Sequence, residues 1–353
     1  MIDSISLLKE LVKIDSSTKE MANEAVHFCE KWLASFDINA TVLENNGFLM
    51  LIAEIGSGER TLILNGHVDV VPGNEGQFLP YVEGNNLYGR GSADMKAGLA
   101  AMMGAFVELK NDSLPCKVQL QIVSDEETGG LNCAQFLSDQ GYLGDFVICG
   151  EPTQLNIGLQ AKGIVQVDVT IKGSAAHGSR PWEGDNAIQK ALRVYEEILS
   201  LPFTKESSLM YEGPSVNLAK ISGGDAYNRV PDTCVISVDI RFLPEQTQER
   251  VLAELNTISD IASIHVHSDG DPIATKEDDP YVQKLHSIVK ETSHEAILFG
   301  QHGSADGRFY SRFGIPAIEF GPRGAHWHGE KEYVEIDSVH LYQDILKKLA
   351  HLF

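Results

Sequence analysis

Positive charge is scarce in this sequence, and long apolar runs are missing altogether. Lysine and arginine number 28 against 50 aspartates and glutamates, a formal net charge of −22. So acidic a chain is a poor partner for nucleic acid or an anionic membrane, and any anionic ligand must meet cations placed locally. No apolar stretch approaches the ~20 residues needed to span a bilayer. The start, Met1-Ile-Asp-Ser, lacks the basic segment and small-residue cleavage site of a signal peptide. No membrane partner and a cytoplasmic location are therefore expected. Cysteine is sparse as well: five residues, an odd number, with no C-x-x-C pair. Cys29, Cys116, Cys149 and Cys234 fall in apolar segments and read as core thiols, which argues against a disulfide scaffold and against a thiolate zinc site. There is no G-x-S-x-G elbow, so a serine hydrolase is disfavoured. Internal repeats and low-complexity segments are absent too.

What remains is an ordinary globular composition, 43% hydrophobic with 22% charged, in a chain of 353 residues, longer than one hydrophobic core usually serves. Leu8, Leu11 and Val12 sit at helical spacing, and a second helix is expected over 21–35. Strands at 38–44 and 49–55 precede the stretch around which the chain is organised. Thr61-Leu-Ile-Leu reads as a short buried strand that stops at Asn65-Gly66 and is followed by His67-Val-Asp69. In extended chain His67 and Asp69 point to one side, an arrangement that suits a metal ligand and the group that fixes its ring. Asp94 follows after a glycine-rich turn and opens a helix over 97–109 that is small or apolar nearly all round. The strand Val118–Val123 runs into Asp125-Glu126-Glu127 and a Thr-Gly-Gly turn. After a helix near 131–139, the strand Phe146–Cys149 ends at Gly150-Glu151-Pro152. Three strands thus deliver His67, the Glu126/Glu127 pair and Glu151 at their C-terminal ends, the edge where open α/β sheets bind ligands.

From about Gly163 the texture changes. Val165, Val167, Val169 and Ile171 alternate with mostly polar residues, then follow a helix at 185–199, strands near 215–221 and 233–242, a helix over 247–258 and a strand over 261–267. That βαββαβ order is the ferredoxin-like pattern of a self-contained small domain. The α/β pattern then resumes with helices near 280–291 and 305–312, strands at 295–299 and 315–320, and a last helix from Asp337. The expected architecture is an α/β open mixed-sheet domain flanked by helices, discontinuous over residues 1–162 and 271–353, with a ferredoxin-like domain inserted at 163–270.

Zinc takes imidazole nitrogen and carboxylate oxygen, and the water it activates needs a nearby carboxylate to accept a proton. Adjacent glutamates after a buried strand can divide those roles, one ligating and one acting as base. Asp94, on another loop, could bridge two metals. A further ligand is expected from the late segment Ala325-His326-Trp327-His328, which offers two histidines. His302 is intermediate, and the remaining histidines read as structural or solvated.

Taken together the motifs resemble those of the dinuclear zinc peptidases and deacylases, a family that includes succinyl-diaminopimelate desuccinylase, acetylornithine deacetylase, aminoacylase and glutamate carboxypeptidase. The resemblance covers nearly the whole chain: G-H-x-D (66–69), G-R-G-x-x-D-M-K-x-G (89–98), D-E-E-x-G (125–129), G-E-P (150–152), G-x-x-x-H-G-x-x-P (173–181), N-x-x-P (228–231), D-I-R (239–241), G-x-x-D-G-R-F (303–309) and H-x-x-x-E (328–332). It implies two zinc ions, replaceable by cobalt, with His67 and Glu151 on one and Glu127 and His328 on the other. Asp94 would bridge them through a cis Asp94–Met95 peptide, Glu126 would be the general base and Asp69 would orient His67. His328 is preferred over His326 because the family spaces its ligand four residues before the glutamate. The inserted domain would be a lid and dimerisation domain of a homodimer, with His177 polarising the scissile carbonyl. Asn228 and Arg241 would grip the substrate, Arg241 through a bidentate hold on a carboxylate.

The implied reaction is hydrolysis of the amide bond of an N-acyl amino acid. Glu151 in a G-E-P context resembles the deacylases more than the dipeptidases. The loop from Gly303 resembles the desuccinylase's glycine-threonine-serine-aspartate-glycine-arginine loop, with Gly303 and Ser304 as substrate contacts, but departs from it at Ser304 and Ala305. N-succinyl-L,L-diaminopimelate, a substrate of lysine and diaminopimelate biosynthesis, is the first expectation. Acetylornithine of arginine biosynthesis comes next and a dipeptide or carboxypeptidase substrate third. A non-catalytic binding protein on this fold would be expected to have lost a ligand or Glu126, and none is lost.

Overall fold

A computed structural model describes residues 2–258, 261–293, 296–303 and 305–353. The chain divides into two compact units, one made of Met1–Leu159, Thr275–Phe299 and Ala305–Phe353, the other of Gln160–Ala274 with Gly300–Ser304.

The first unit is built on a mixed sheet ordered Ala40–Asn45, Phe48–Gly56, Lys117–Val123, Thr61–His67, Phe146–Cys149, Ala317–Glu319, Ile157–Ala161. Its centre is parallel: Thr61–His67 pairs with Lys117–Val123 on one side and Phe146–Cys149 on the other, and Ala317–Glu319 continues the parallel run. The outer pairings with Phe48–Gly56 and Ile157–Ala161 are antiparallel. Central strands buried on both faces read as continuous apolar runs, and Leu62–Leu64, Leu120, Ile122 and Phe146–Ile148 are all essentially inaccessible to solvent. On one face Ile63, Val147 and Cys149 pack with Leu137 and Tyr310 from the helices Ala134–Asp139 and Arg308–Ser311. The helix Lys96–Leu109 is buried nearly all round, as its small and apolar composition requires. Where it starts, Gly98 meets Gly150 so closely that a Cβ on Gly98 would fall 2.0 Å from the Gly150 carbonyl oxygen. Only glycine permits that approach, and it brings the Asp94 turn against the strand end that carries Glu151. Four very short strands, Tyr81–Glu83, Asn86–Tyr88, Gly324–Ala325 and Tyr333–Glu335, form a second small sheet that sequence periodicity does not announce.

The second unit contains Gly163–Lys172, Ala187–Ser200, Ser215–Gly223, Thr233–Phe242, Gln248–Leu255 and Ala262–Gly270, a βαββαβ order. Its antiparallel sheet runs Ser215–Gly223, Thr233–Phe242, Gly163–Lys172, Ala262–Gly270, the ferredoxin-like arrangement. The inward set Val165, Val167, Val169 and Ile171 packs with Ala191, Val194 and Ile198 of the first helix and Val251 and Leu255 of the second. Asn186 caps the first helix by accepting from the Ile188 and Gln189 amides. Among the described residues no helix is long and apolar enough to cross a membrane.

Candidate metal centre

Three neighbouring parallel strands end on one edge of the first unit's sheet, and each supplies part of a carboxylate–imidazole cluster. His67 closes the middle strand and is buried. Its Nδ1 lies 2.9 Å from the carbonyl oxygen of Asp69. A carbonyl can only accept, so Nδ1 carries a ring proton and Nε2 is the nitrogen turned to the cluster. Nε2 is buried and has no hydrogen-bond partner among the described residues, yet Asp94 Oδ1, Glu151 Oε1 and Glu126 Oε2 stand 3.3, 3.8 and 3.9 Å from it.

The other oxygen of Asp94 faces a second histidine. Asp94 Oδ2 is 3.3 Å from His328 Nε2, which is also 3.3 Å from Glu127 Oε1. Two triads result, His67–Asp94–Glu151 and Asp94–Glu127–His328; within each, one potential ligand atom per residue lies within 4.8 Å of the others. Asp94 belongs to both and turns a different oxygen to each. The Asp94–Met95 peptide is cis. Glu126 belongs to neither triad.

Asp69 does more here than flank a ring. Its carboxylate is 3.5 Å from His67 Nδ1, but it accepts from the backbone amides of Glu126 at 3.3 Å and Glu127 at 2.9 Å. It therefore fixes the turn that aims both glutamates. Asp125 holds the far side of that turn by accepting from the amides of Asn132 and Cys133 at 2.7 and 3.2 Å.

The electrostatics describe a site short of positive charge. Burial pushes the carboxyl of Glu151 well above its usual range, and repulsion from Asp94 adds to the rise. Burial does the same to Glu126, opposed by His67 and reinforced by Asp306 and Asp94; Glu127 is raised by burial too. For Asp94, burial is outweighed by the imidazoles of His328 and His67, which hold its carboxyl below the ordinary range. Burial would lower His67, but the carboxylates of Asp69, Asp94 and Glu151 carry it well above the normal imidazole value. His328 is raised by its contact with Asp94. Concentrated buried carboxylates are costly unless cations neutralise them. Two imidazoles, three carboxylates and an orphaned buried Nε2 make a donor set that fits a pair of divalent ions of the zinc type.

The remaining predicted residues belong to neither triad. His177, Asn228 and Arg241 all lie in the second unit. His177 and Asn228 are brought together there: the His177–Arg229 bridge sits beside the hydrogen bond from the Gly178 amide to the Asn228 carbonyl, 2.7 Å long. The exposed His177 ring keeps its Nδ1 2.8 Å from Ser179 Oγ. Arg241 is tied to Asp239, two residues away on the same strand, at 3.0 Å. Gly303 is exposed, and Ser304 lies outside the described residues. His302 packs edge-on against Tyr211, and the exposed His326 ring lies 6.1 Å from that of Tyr333. Sequence reasoning passed over Arg90, Glu332 and Asp306. Asp306 is 3% exposed, and burial together with Asp125 lifts its carboxyl to about 7. The only signal for these three was their position inside the motifs that carry the resemblance.

Comparison with known proteins gives a consistent result. The profile described as peptidase family M20/M25/M40 matches residues 63–352. A succinyl-diaminopimelate desuccinylase from Buchnera aphidicola is 30% identical over 97% of this chain and 98% of its own length. Aminopeptidase PepT from Bacillus cereus superposes with a TM-score of 0.84 at 20% identity, over 99% of this chain and 97% of the other. An M20 family metallo-carboxypeptidase from Sulfolobus solfataricus gives a TM-score of 0.83 at 18% identity, over 100% and 99%.

Proposed function

The chain belongs to peptidase family M20/M25/M40, and from that premise we propose that it is a two-zinc amidohydrolase that removes the acyl group from an N-acyl amino acid. The observation that carries this reading is the pair of triads sharing Asp94, with Glu126 beside them and in neither. His67 and Glu151 would hold one ion, Glu127 and His328 the other, with Asp94 between. Ions of this kind supply a Lewis acid for the amide carbonyl and lower the pKa of water. Glu126, left free to carry a proton, takes it from the attacking water and returns it to the leaving amine nitrogen. Asp69 holds the backbone of the Glu126–Glu127 turn throughout. His177 is assigned the polarisation of the scissile carbonyl, and Asn228 and Arg241 the grip on the substrate. Because Arg241 is engaged by Asp239, a substrate carboxylate would have to compete with that ion pair.

For the substrate, the relative at 30% identity over nearly the full chain favours N-succinyl-L,L-diaminopimelate. The solved structures, near 20% identity, support the fold alone. A panel of N-succinyl and N-acetyl amino acids and dipeptides, assayed with added zinc, tests this. The succinylated diaminopimelate should have the highest kcat/KM. A dipeptide or N-acetylornithine at the top of the panel would replace it.

A further inference from the structure

His328 presents a problem of placement. Its side chain is 50% exposed, so packing cannot hold its ring. Its backbone is in the left-handed region at φ 62°, and so is that of His326 at φ 59°, a conformation that favours glycine. A ligand on such a turn must be fixed through its main chain.

The main-chain contacts lead to one buried ion pair. Arg90 and Glu332 meet at 2.7 Å, Nη1 to Oε2, with side chains 4% and 1% exposed. Arg90 Nη2 donates to the carbonyl of His328 at 3.2 Å. Glu332 Oε1 accepts from the amides of Ala93 and Asp94 at 3.0 and 3.1 Å. Gln77 completes the frame: its side chain donates to the Gly329 carbonyl at 2.9 Å, and its carbonyl accepts from the Arg90 amide at 2.9 Å. One end of the pair therefore grips the backbone of His328 and the other grips the backbone of Asp94, the two groups that must converge on the second triad.

We propose that Arg90 and Glu332 are positioning residues for the metal centre: their buried ion pair clamps the backbones of Asp94 and His328 so that the second ion's site is preformed. This rests on the two-ion reading above. Arginine suits the task because its planar fork reaches a carboxylate and a carbonyl at once, which a lysine ammonium cannot reproduce. Partners behind metal ligands typically alter affinity by about 10–100-fold when removed.

The test is a competitive titration of metal-stripped full-length protein with zinc alone. Wild type should take up two equivalents, and His328→Ala identifies the equivalent held by that histidine. Arg90→Lys should weaken the same equivalent by about 10–100-fold and leave the other within about 3-fold. Glu332→Ala, which also frees the Asp94 amide, should weaken both. Leu33→Ala, a truncation in the core under the helix Lys19–Ala34, serves as a variant of lowered melting temperature and should bind both ions normally. Wild-type affinity for both equivalents in Arg90→Lys would overturn the proposal. So would parallel loss in Leu33→Ala, or an Arg90→Lys protein that does not fold, since the pair would then serve folding rather than the site. Uptake of fewer than two equivalents by wild type would instead overturn the two-ion reading, and the clamp with it.

Discussion

At the scale of single residues, the division of labour between Glu126 and Glu127 is the sharpest feature. Both follow the same buried strand, but Glu127 lies 3.3 Å from His328 while Glu126 belongs to neither of the two triads. Glu126→Gln keeps the size and removes the base, so kcat should fall by at least about 10²-fold with metal content unchanged. Glu127→Gln should lower metal affinity along with activity; the opposite pattern would reverse the two roles. The raised positions of His67 and Glu151 carry a sign that calorimetry can read. A ligand must give up its proton to bind metal. Groups titrating above their usual values are more protonated near neutral pH, so metal uptake should release protons and affinity should fall as pH falls. Titration in buffers of different ionisation enthalpy measures that release, and a value of zero near pH 6 would contradict the shifts. His67, Glu126, Glu127 and Glu151 were legible in the sequence because each follows an apolar run that stops abruptly. Arg90 and Glu332, 242 positions apart, were not: nothing local marks two charges that will be buried against each other. The carboxylate of Asp69, expected to orient His67, stands 3.5 Å from its Nδ1 and also caps the turn, while the Asp69 backbone carbonyl lies nearer the ring at 2.9 Å.

At the scale of elements, the site depends on how closely the helix Lys96–Leu109 approaches the strand end at Gly150. A methyl group on Gly98 would meet the Gly150 carbonyl oxygen at 2.0 Å, and backbone on both sides would have to shift. Gly98→Ala should therefore cost about 1–3 kcal/mol, seen as a lowered denaturation midpoint, and should also weaken metal binding because Glu151 follows Gly150 directly. Wild-type stability and affinity in that variant would show the approach to be incidental. Long elements were readable from periodicity: the helices near 21–35 and 97–109 occur at Lys19–Ala34 and Lys96–Leu109. The small sheet was not read because strands of two or three residues carry too few alternations to register, and Ile157–Ala161 was not read because Gly158 and Gln160 interrupt the apolar run that marked Phe146–Cys149. That matters here, since the small sheet's last strand begins at Tyr333, directly after Glu332.

At the scale of the whole molecule, the ferredoxin-like order was legible because Val165 to Ile171 and the strand Thr233–Phe242 alternate cleanly between faces. Its sheet ends in two edge strands, Ser215–Gly223 and Ala262–Gly270, and such edges are natural sites of pairing between chains. We propose a homodimer formed through this unit. Sedimentation should give twice the chain mass, and mixing His177→Ala with Glu126→Ala protein should restore activity if His177 serves the partner's site. A monomer at assay concentration would end that idea while leaving the metal centre untouched. The most direct test of the centre itself is a count of metal. Zinc-saturated, desalted wild-type protein should hold two equivalents, and Asp94→Ala should hold neither tightly, because one side chain turns an oxygen to each triad. Two tightly bound ions in Asp94→Ala, or a single ion in the wild type, would contradict a shared two-ion site.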